Sequence, residues 1–245
     1  MKKSILFIVI LILLWQLIYF IFPNKIYLLP SPAEVIIAFI NVLISGDIFI
    51  HILTSLQRVL VGFFIASFVG IISAIFLGYY RKIGDYIKPL IEIISPVPPI
   101  AWIPIAILLF VLCNISSYFI VFLGAFFPVF TNTYFGVISL PKIYKNVADS
   151  FEISEYVFIK KILFYFSLPY IFTGLKIGIG MAWMSVIAAE LIGAQSGLGY
   201  FIQINRLLLR TDNILVGMIL IGIIGFILSK LLSLIEKIIM PWRRE

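Results

Sequence analysis

Long runs of apolar residues, separated by short polar segments, dominate this chain. About 20 apolar residues in helical conformation cross the hydrocarbon layer of a bilayer, and a helix satisfies its own backbone polar groups there. The runs predict six membrane-spanning helices, at about 5–22, 56–79, 89–112, 118–138, 168–192 and 215–235. We therefore expect an all-α polytopic membrane protein, with residues 1–245 forming one transmembrane domain.

The first two runs enclose a shorter helix. The first run follows Met1-Lys2-Lys3, as in a cleaved signal peptide, but its length and the lack of a small-x-small cleavage site favour a retained span. Pro30-Ser31-Pro32 predicts the start of a short helix, and Ser45-Gly46-Asp47 predicts its end. That helix is too short to cross the bilayer and is predicted to lie at the interface.

The third run contains "SPVPPIAWIPIA", which has four prolines: Pro96, Pro98, Pro99 and Pro104. Each proline removes a backbone donor and clashes with the preceding helical turn, so the helix must break here. A broken backbone at membrane depth is tolerated only inside protein or beside a water-filled cavity. This stretch is therefore predicted to face the bundle interior or a translocation pathway, and "CNISS" after it is predicted to form a tight turn.

Lysine and arginine are distributed unevenly between the two predicted sides. Of the 18 such residues, thirteen fall on the side that carries the N-terminus and four on the other, with Lys176 inside the fifth span. Cytoplasmic loops carry the excess of basic residues, so both termini are predicted to be cytoplasmic.

The segment at about 141–163 is the largest predicted cytoplasmic element and has the pattern of a bent pair of helices. Ile143, Val147 and Phe151 recur at helical spacing opposite a polar face, which predicts an amphipathic helix. Ser154 is placed to cap a second helix that leads into the fifth span. Periodicity leaves two interpretations open, a hairpin resting on lipid headgroups and a docking element for a cytoplasmic partner.

Composition narrows the function further. Only 12% of the residues are charged and mean hydropathy is +1.19, so a water-soluble domain is excluded. A single Cys and a single His exclude a disulfide framework and a Cys- or His-based metal site. The net charge of +7 is attributed to cytoplasmic loops facing the bilayer rather than to nucleic-acid binding.

Six blocks in the chain are similar to the nitrate/sulfonate/taurine-type permeases of ATP-binding cassette (ABC) importers: "LLPSPAEV", "SLQRVLVGF", "PVPPIAWIPI", "LGAFFPVFTNTYFGV", "AAELIGAQSGLGY" and "LRTDNILVGMILIG". The segment at 141–163 resembles the cytoplasmic coupling loop of that family, with Ala148 on a motif alanine. Asn146 stands where the family has Glu, Glu152 where it has Gly, and Phe164-Tyr165 where it has Leu-Pro. A glutamate at a position that requires positive φ would be strained, so we expect a different backbone path or an altered partner groove.

The resemblance implies a type I importer permease in a multi-pass cell membrane location. Two copies would form the pathway, two cytoplasmic ATPase subunits would hold ATP and Mg²⁺, and an extracytoplasmic binding protein would deliver the solute. The chain has no Walker-type sequence and is expected to bind no cofactor and to be no enzyme. Sulfonate, nitrate, bicarbonate and vitamin precursors stay open as solutes. The implied contacts with the ATPase are Ala148, Phe151, Glu152, Ile153 and Ser154.

Several side chains in or near the spans allow two interpretations. The pathway candidates are the four prolines with Gly178 and Glu190; the alternatives are helix packing for Gly178 and an interfacial acid supporting the Gly-rich turn for Glu190. For Lys176 the alternatives are snorkelling to the headgroups, which is favoured, and contact with an anion. Arg58 is predicted to anchor the interface or to contact the binding protein.

Two other classes of function find less support. A secondary transporter or channel lacks an intramembrane chain of acids and an evident inverted repeat. An intramembrane enzyme lacks a Ser/His, Asp/Asp or His-rich constellation in the spans.

Overall fold

The computed structural model describes residues 2–21, 30–110 and 114–242, with side chains from residue 10 onward. A 3₁₀ turn, Pro99–Trp102, precedes the fifth helix, and a π-helical turn, Ile159–Leu163, joins the eighth helix to the ninth. The helices are α1 Lys2–Ile21, α2 Pro32–Ser45, α3 Asp47–Tyr79, α4 Arg81–Ile94, α5 Ile103–Phe110, α6 Asn114–Ile138, α7 Lys142–Ser150, α8 Glu155–Phe158, α9 Phe164–Gly193, α10 Leu198–Leu207 and α11 Thr211–Ile239.

The short second helix forms where the sequence predicts it. Ser31 caps α2 because its hydroxyl accepts from the Glu34 N–H at 3.2 Å, while the Glu34 carboxylate accepts from the Ser31 N–H at 2.7 Å. This reciprocal pair satisfies two donors that the first turn of a helix otherwise leaves free. Gly46, with φ of +78°, ends the helix. Its position at the membrane interface stays a prediction.

Four continuous helical stretches are long and apolar enough to cross a bilayer among the described residues: α3, α6, α8 with α9, and α11. A fifth candidate is a bent pair, α4 with Pro99–Phe110, whose two arms meet at 87°. Each of these regions falls on a predicted run. The chain is therefore an all-α polytopic protein, as the sequence predicts.

Helices α3 and α6 pack closely and in parallel. Every fourth residue of α3 is small at the contact, and a Cβ on Gly62, Gly70 or Gly78 would lie 2.6, 3.1 or 2.5 Å from a Cγ1 atom of α6. The partners are Val121, Val129 and Val137, respectively, and Ala66 and Ala74 complete the small-residue row. Small residues at this spacing let two helices approach closely.

Because α3 and α6 are parallel, the segment of chain that connects them must cross from one end of the bundle to the other. The end of α3 and the end of α6 lie together, as do their earlier halves, so residues 81–110 join opposite ends of the bundle. The bent α4–α5 pair therefore traverses the bundle once instead of returning to the side from which it starts.

Three local predictions were wrong at this level. The charge of "YYRKIGDYIK", between the second and third predicted runs, predicts a loop, but α4 begins at Arg81 because its charged residues occupy one face of an amphipathic helix. In "CNISS" the residues Asn114–Ser117 are helical, and Cys113 lies outside the described residues. The second span begins at Asp47, well before residue 56, because α3 continues through the apolar residues that follow Gly46.

Helix α9 runs antiparallel to α6, so both long faces of α6 are covered. Gly124 of α6 lies against Ser185 of α9, and Gly136 lies against Tyr170. The largest apolar core is built from α2, α3, α6, α9, α10 and α11, and Trp15 of α1 packs against it. The fold thus surrounds α6 with α3, α5 and α9, and this arrangement positions the sites below.

Candidate functional site

The segment at 141–163 is a bent helix pair at one end of the bundle, which we call the coupling loop. Helix α7 ends at Ser150, and the chain turns through residues 151–154 into α8. The Ile153 N–H donates to the Ala148 carbonyl at 2.9 Å, which is the closing bond of a Schellman motif. Ser154 stands at the N-cap position, but its side chain makes no capping hydrogen bond. The predicted bend is therefore present, and the predicted hydroxyl cap is not.

Glu152 occupies the left-handed position of this turn. Its φ is +52°, so the backbone path that suits glycine is retained with a glutamate in place. Our expectation of a different backbone path was wrong. The Ile153 side chain packs against the apolar cluster that contains Ala148. Such an apolar contact commonly accompanies the Schellman hydrogen bond, and it helps to hold the turn closed.

The inner face of the coupling loop is fixed to the ends of α3 and α6. Ala148 and Phe158 are buried in a cluster with Val137 of α6, and the ring of Tyr79 of α3 lies 6.2 Å from that of Phe158. The ammonium of Lys145 lies 5.0 Å from the Phe158 ring centroid. These contacts anchor the loop to both helices.

A further ion pair stabilises the charged face of α7. The Lys145 ammonium donates to the Asp149 carboxylate at 2.9 Å, and this hydrogen bond is the main cause of a raised pKa for Lys145. The pair lies one helical turn apart, a spacing that supports a short helix.

The outer face of the coupling loop is apolar and uncovered. Ile143, Tyr144 and Val147 are exposed, and Phe151 at the bend is 76% exposed. Of the predicted contact residues, Glu152 and Ser154 are also exposed, Ile153 is half-buried, and Ala148 is buried on the inner face. The bend thus presents one apolar side chain, Phe151, beside two polar ones.

A second feature is a cavity of about 350 Å³ between the proline-broken α4–α5 pair and α6, which stays helical through Pro128. One wall is the break between α4 and α5, including Ser95 and Pro99, and the other is α6 around Pro128. Because Pro128 has no N–H, the Gly124 carbonyl loses its usual helical donor on the cavity wall. Thr131 and Asn132 add polar side chains that the sequence analysis did not single out, although "TNT" is conspicuous in an apolar run.

The pathway candidates do not all come together in the structure. Pro99 lines this cavity, whereas Pro96, Pro98 and Pro104 are exposed outside it. Gly178 is buried in the α6–α9 contact, where an added Cβ would lie 3.0 Å from Val129 Cγ2, as its packing interpretation requires. A role for any of them in translocation stays a prediction.

A buried polar network occupies the opposite end of the bundle from the coupling loop. Arg58 is 4% exposed, and its Nη1 donates to Glu190 Oε1 at 2.9 Å and to the Ser196 carbonyl at 2.6 Å. Its Nε and Nη2 both donate to Asn114 Oδ1, at 3.1 and 2.8 Å. One guanidinium therefore joins α3, α6, α9 and the α9–α10 turn, and Arg58 is neither an interface anchor nor a free contact surface.

Glu190 belongs to the same network and supports the glycine-rich turn. Its carboxylate accepts from the Ser55 hydroxyl at 2.9 Å and from the Gly199 N–H at 3.0 Å. Gly197 has φ of +113°, and a Cβ there would lie 2.3 Å from this carboxylate, so only glycine fits. Sequence reasoning missed the partners because the two ion-pair residues are far apart in the chain.

Lys176 does not simply snorkel to the headgroups. Its ammonium forms an ion pair with Glu236 of α11. Lys88 and Glu92 form an exposed pair at 3.2 Å on α4.

Membrane-length helices, one bent helix pair and a cavity at its break define a polytopic helical membrane protein. Residues 66–245 match the family described as binding-protein-dependent transport system inner membrane component.

Three relatives agree with this match. The chain is 37% identical over 238 residues to a putative ABC transporter permease protein of Methanocaldococcus jannaschii, covering 95% of this chain and 89% of that protein. It is 30% identical over 243 residues to a putative aliphatic sulfonates transport permease protein of Bacillus subtilis, covering 99% and 88%. It is 35% identical over 192 residues to a nitrate import permease protein of Synechocystis sp., covering 78% and 70%.

The chain belongs to the family of binding-protein-dependent ABC transporter permeases. It is a multi-pass inner-membrane transport subunit and not an enzyme. The resemblance drawn from its sequence motifs is confirmed.

Proposed function

We propose that this chain is the permease subunit of an ABC importer for a small oxyanion that an extracytoplasmic binding protein delivers. The relatives carry names for aliphatic sulfonates and for nitrate, which supports the oxyanion class. Taurine-like solutes and bicarbonate also belong to the oxyanion class, and vitamin precursors are the alternative outside it. In this proposal two copies of the chain form the pathway, both termini are cytoplasmic, and the chain binds no cofactor.

The coupling loop is the observation that carries the proposal. Its inner face is fixed to α3 and α6, whereas its outer face leaves Phe151 uncovered beside Glu152 and Ser154. A short amphipathic helix with a fixed inner face and an exposed apolar outer face suits insertion into a groove. We assign that groove to one of two cytoplasmic ATPase subunits, which hold ATP and Mg²⁺.

The cavity beside Pro99 is our candidate for part of the pathway. Irregular backbone at membrane depth lines cavities, and here the break between α4 and α5 faces α6 across one of them. Its walls carry hydroxyl, amide and carbonyl groups and no charged side chain among the described lining residues. An anion could therefore pass without being trapped by a fixed positive charge.

Cysteine crosslinking tests the coupling assignment. Ser154→Cys, in a Cys113→Ser background, should crosslink to the ATPase subunit encoded beside this permease when the complex is assembled. Ser45→Cys is the matched control, because Ser45 is also an exposed serine but lies at the opposite end of the bundle, and it should not crosslink. Equal yields at both positions, or none at Ser154→Cys in an assembled complex, would refute the assignment.

The solute class has a separate test. The binding protein encoded with this permease should gain thermal stability with an oxyanion, and the same oxyanion should stimulate ATP hydrolysis by the reconstituted complex. Stabilisation by a neutral vitamin precursor and not by sulfonates or nitrate would exclude the oxyanion class while leaving the coupling assignment intact.

A further inference from the structure

A second cavity, of about 420 Å³, lies at the end of the bundle opposite the coupling loop. It is enclosed by α5, the first residues of α6, the end of α9 and the α9–α10 turn. Pockets that hold small molecules fall in the range of about 300–1,000 Å³. In the proposed topology this end faces the binding protein.

One wall of this cavity is polar and has unused donors. Ser117 is 6% exposed and lines the cavity. Asn114 accepts two guanidinium bonds on Oδ1, and its Nδ2 donates to no described group. Gln195 adds a second amide on this wall. A hydroxyl and two amides on one wall of a roomy cavity offer hydrogen bonds to an acceptor that enters it.

The buried ion pair turns its positive member, Arg58, towards the cavity, and this favours an anion there. Arg58 lines the cavity, whereas Glu190 does not and is held from behind by Ser55 and Gly199. All five guanidinium N–H groups are already engaged, so Arg58 contributes its charge and leaves direct hydrogen bonding to Asn114 and Ser117. The Ser196 carbonyl, which would repel an anion, is occupied by Arg58.

The other wall is apolar. It consists of buried or half-buried aliphatic side chains, namely Ile103, Ala106, Ile107, Ile120 and Ala189. A bare oxyanion would leave this wall facing water. An oxyanion with a short alkyl tail matches both walls at once.

We propose that this cavity is a solute site of the permease itself, selective for small alkanesulfonates over nitrate. The proposal rests on the proposed import function and names its substrate class. In it, Asn114 and Ser117 hold the sulfonate oxygens, and the isoleucines contact the tail.

Direct titration of the permease in nanodiscs, without ATPase or binding protein, tests the site. Affinity should rise about fourfold for each methylene from methanesulfonate to butanesulfonate, because each moves onto the apolar wall. Nitrate should bind more weakly than methanesulfonate. Butylammonium has a matching tail and the wrong charge, and it should not bind; empty nanodiscs correct for partition into lipid.

Two variants on one helix locate the binding. Ile107→Phe fills the cavity and should weaken butanesulfonate binding at least tenfold, whereas Leu108→Phe, at a side chain 83% exposed on the outside of α5, should change nothing. Ser117→Ala should weaken all sulfonates equally, whatever their tail. Thermal unfolding of each variant checks that it remains folded.

The outcomes are distinguishable from failure of the proposed function. No saturable sulfonate binding to the wild type, equal effects of Ile107→Phe and Leu108→Phe, or binding of butylammonium would each overturn the site, even if Ser154→Cys crosslinks to the ATPase. Failure of that crosslink would overturn the coupling assignment, whereas sulfonate binding measured on the permease alone would still support the site.

Discussion

Removing Arg58 should destabilise the protein strongly, because it leaves the Glu190 carboxylate buried without its counter-ion. The two side chains are 5% and 0% exposed and meet at 2.9 Å. Breaking a buried pair by removing one partner costs about 3–5 kcal/mol. For a chain of this length that cost lowers the unfolding midpoint by roughly 6–20 °C. We therefore expect Arg58→Met to shift thermal unfolding, followed by tryptophan fluorescence in detergent, by that amount.

The double variant tests the reason for this loss. Arg58→Met with Glu190→Gln removes both charges while the new amide oxygen still accepts from Ser55 and Gly199. It should therefore be more stable than Arg58→Met alone. Lys88→Met is the matched control: its pair with Glu92 is 44% and 58% exposed, and such exposed pairs contribute about 0–1 kcal/mol. If the double variant loses as much as the sum of both single variants, the charge-burial argument fails.

Two further predictions concern backbone and helix packing. Glu152→Gly should raise the unfolding midpoint, because the left-handed conformation costs a non-glycine residue about 1–2 kcal/mol; a lower midpoint would contradict the positive φ. Gly78→Ala should destabilise the protein by about 1–3 kcal/mol in the same assay, since its Cβ would lie 2.5 Å from Val137 Cγ1. Gly222→Ala, whose Cβ would meet nothing within 4 Å, should be neutral or stabilising, and equal losses at both positions would refute the close-contact explanation.

Elements with strong local signals could be predicted from the sequence. The cap at Ser31 and Glu34, the proline-broken third run and the bend near Glu152 all depend on residues within a few positions of one another. Helix α4 could not be predicted in this way, because closely spaced charged residues in an apolar chain are typical of a loop. They lie on one face of a helix whose apolar residues occupy the other.

The sites depended on contacts that no local pattern contains. Ser55, Asn114 and Ser196 look unremarkable in sequence, and only the packing of α3, α6 and α9 brings them to one guanidinium and one carboxylate. In the same way, Ser95 and Asn132 line one cavity only because the break between α4 and α5 packs beside α6. The glutamate at position 152, where the family has glycine, suggested a changed turn, but the structure keeps the left-handed conformation at this position.

The four-residue row along α3 limits how this permease can move. Gly62, Gly70 and Gly78 receive Val121, Val129 and Val137, and these contacts are eight residues apart, which is about 12 Å at 1.5 Å per residue. A small slide of α3 along α6 would drive valine side chains into the backbone, so graded sliding is blocked. If the coupling loop transmits motion as proposed, α3 and α6 must tilt together or shift by a whole step of the row.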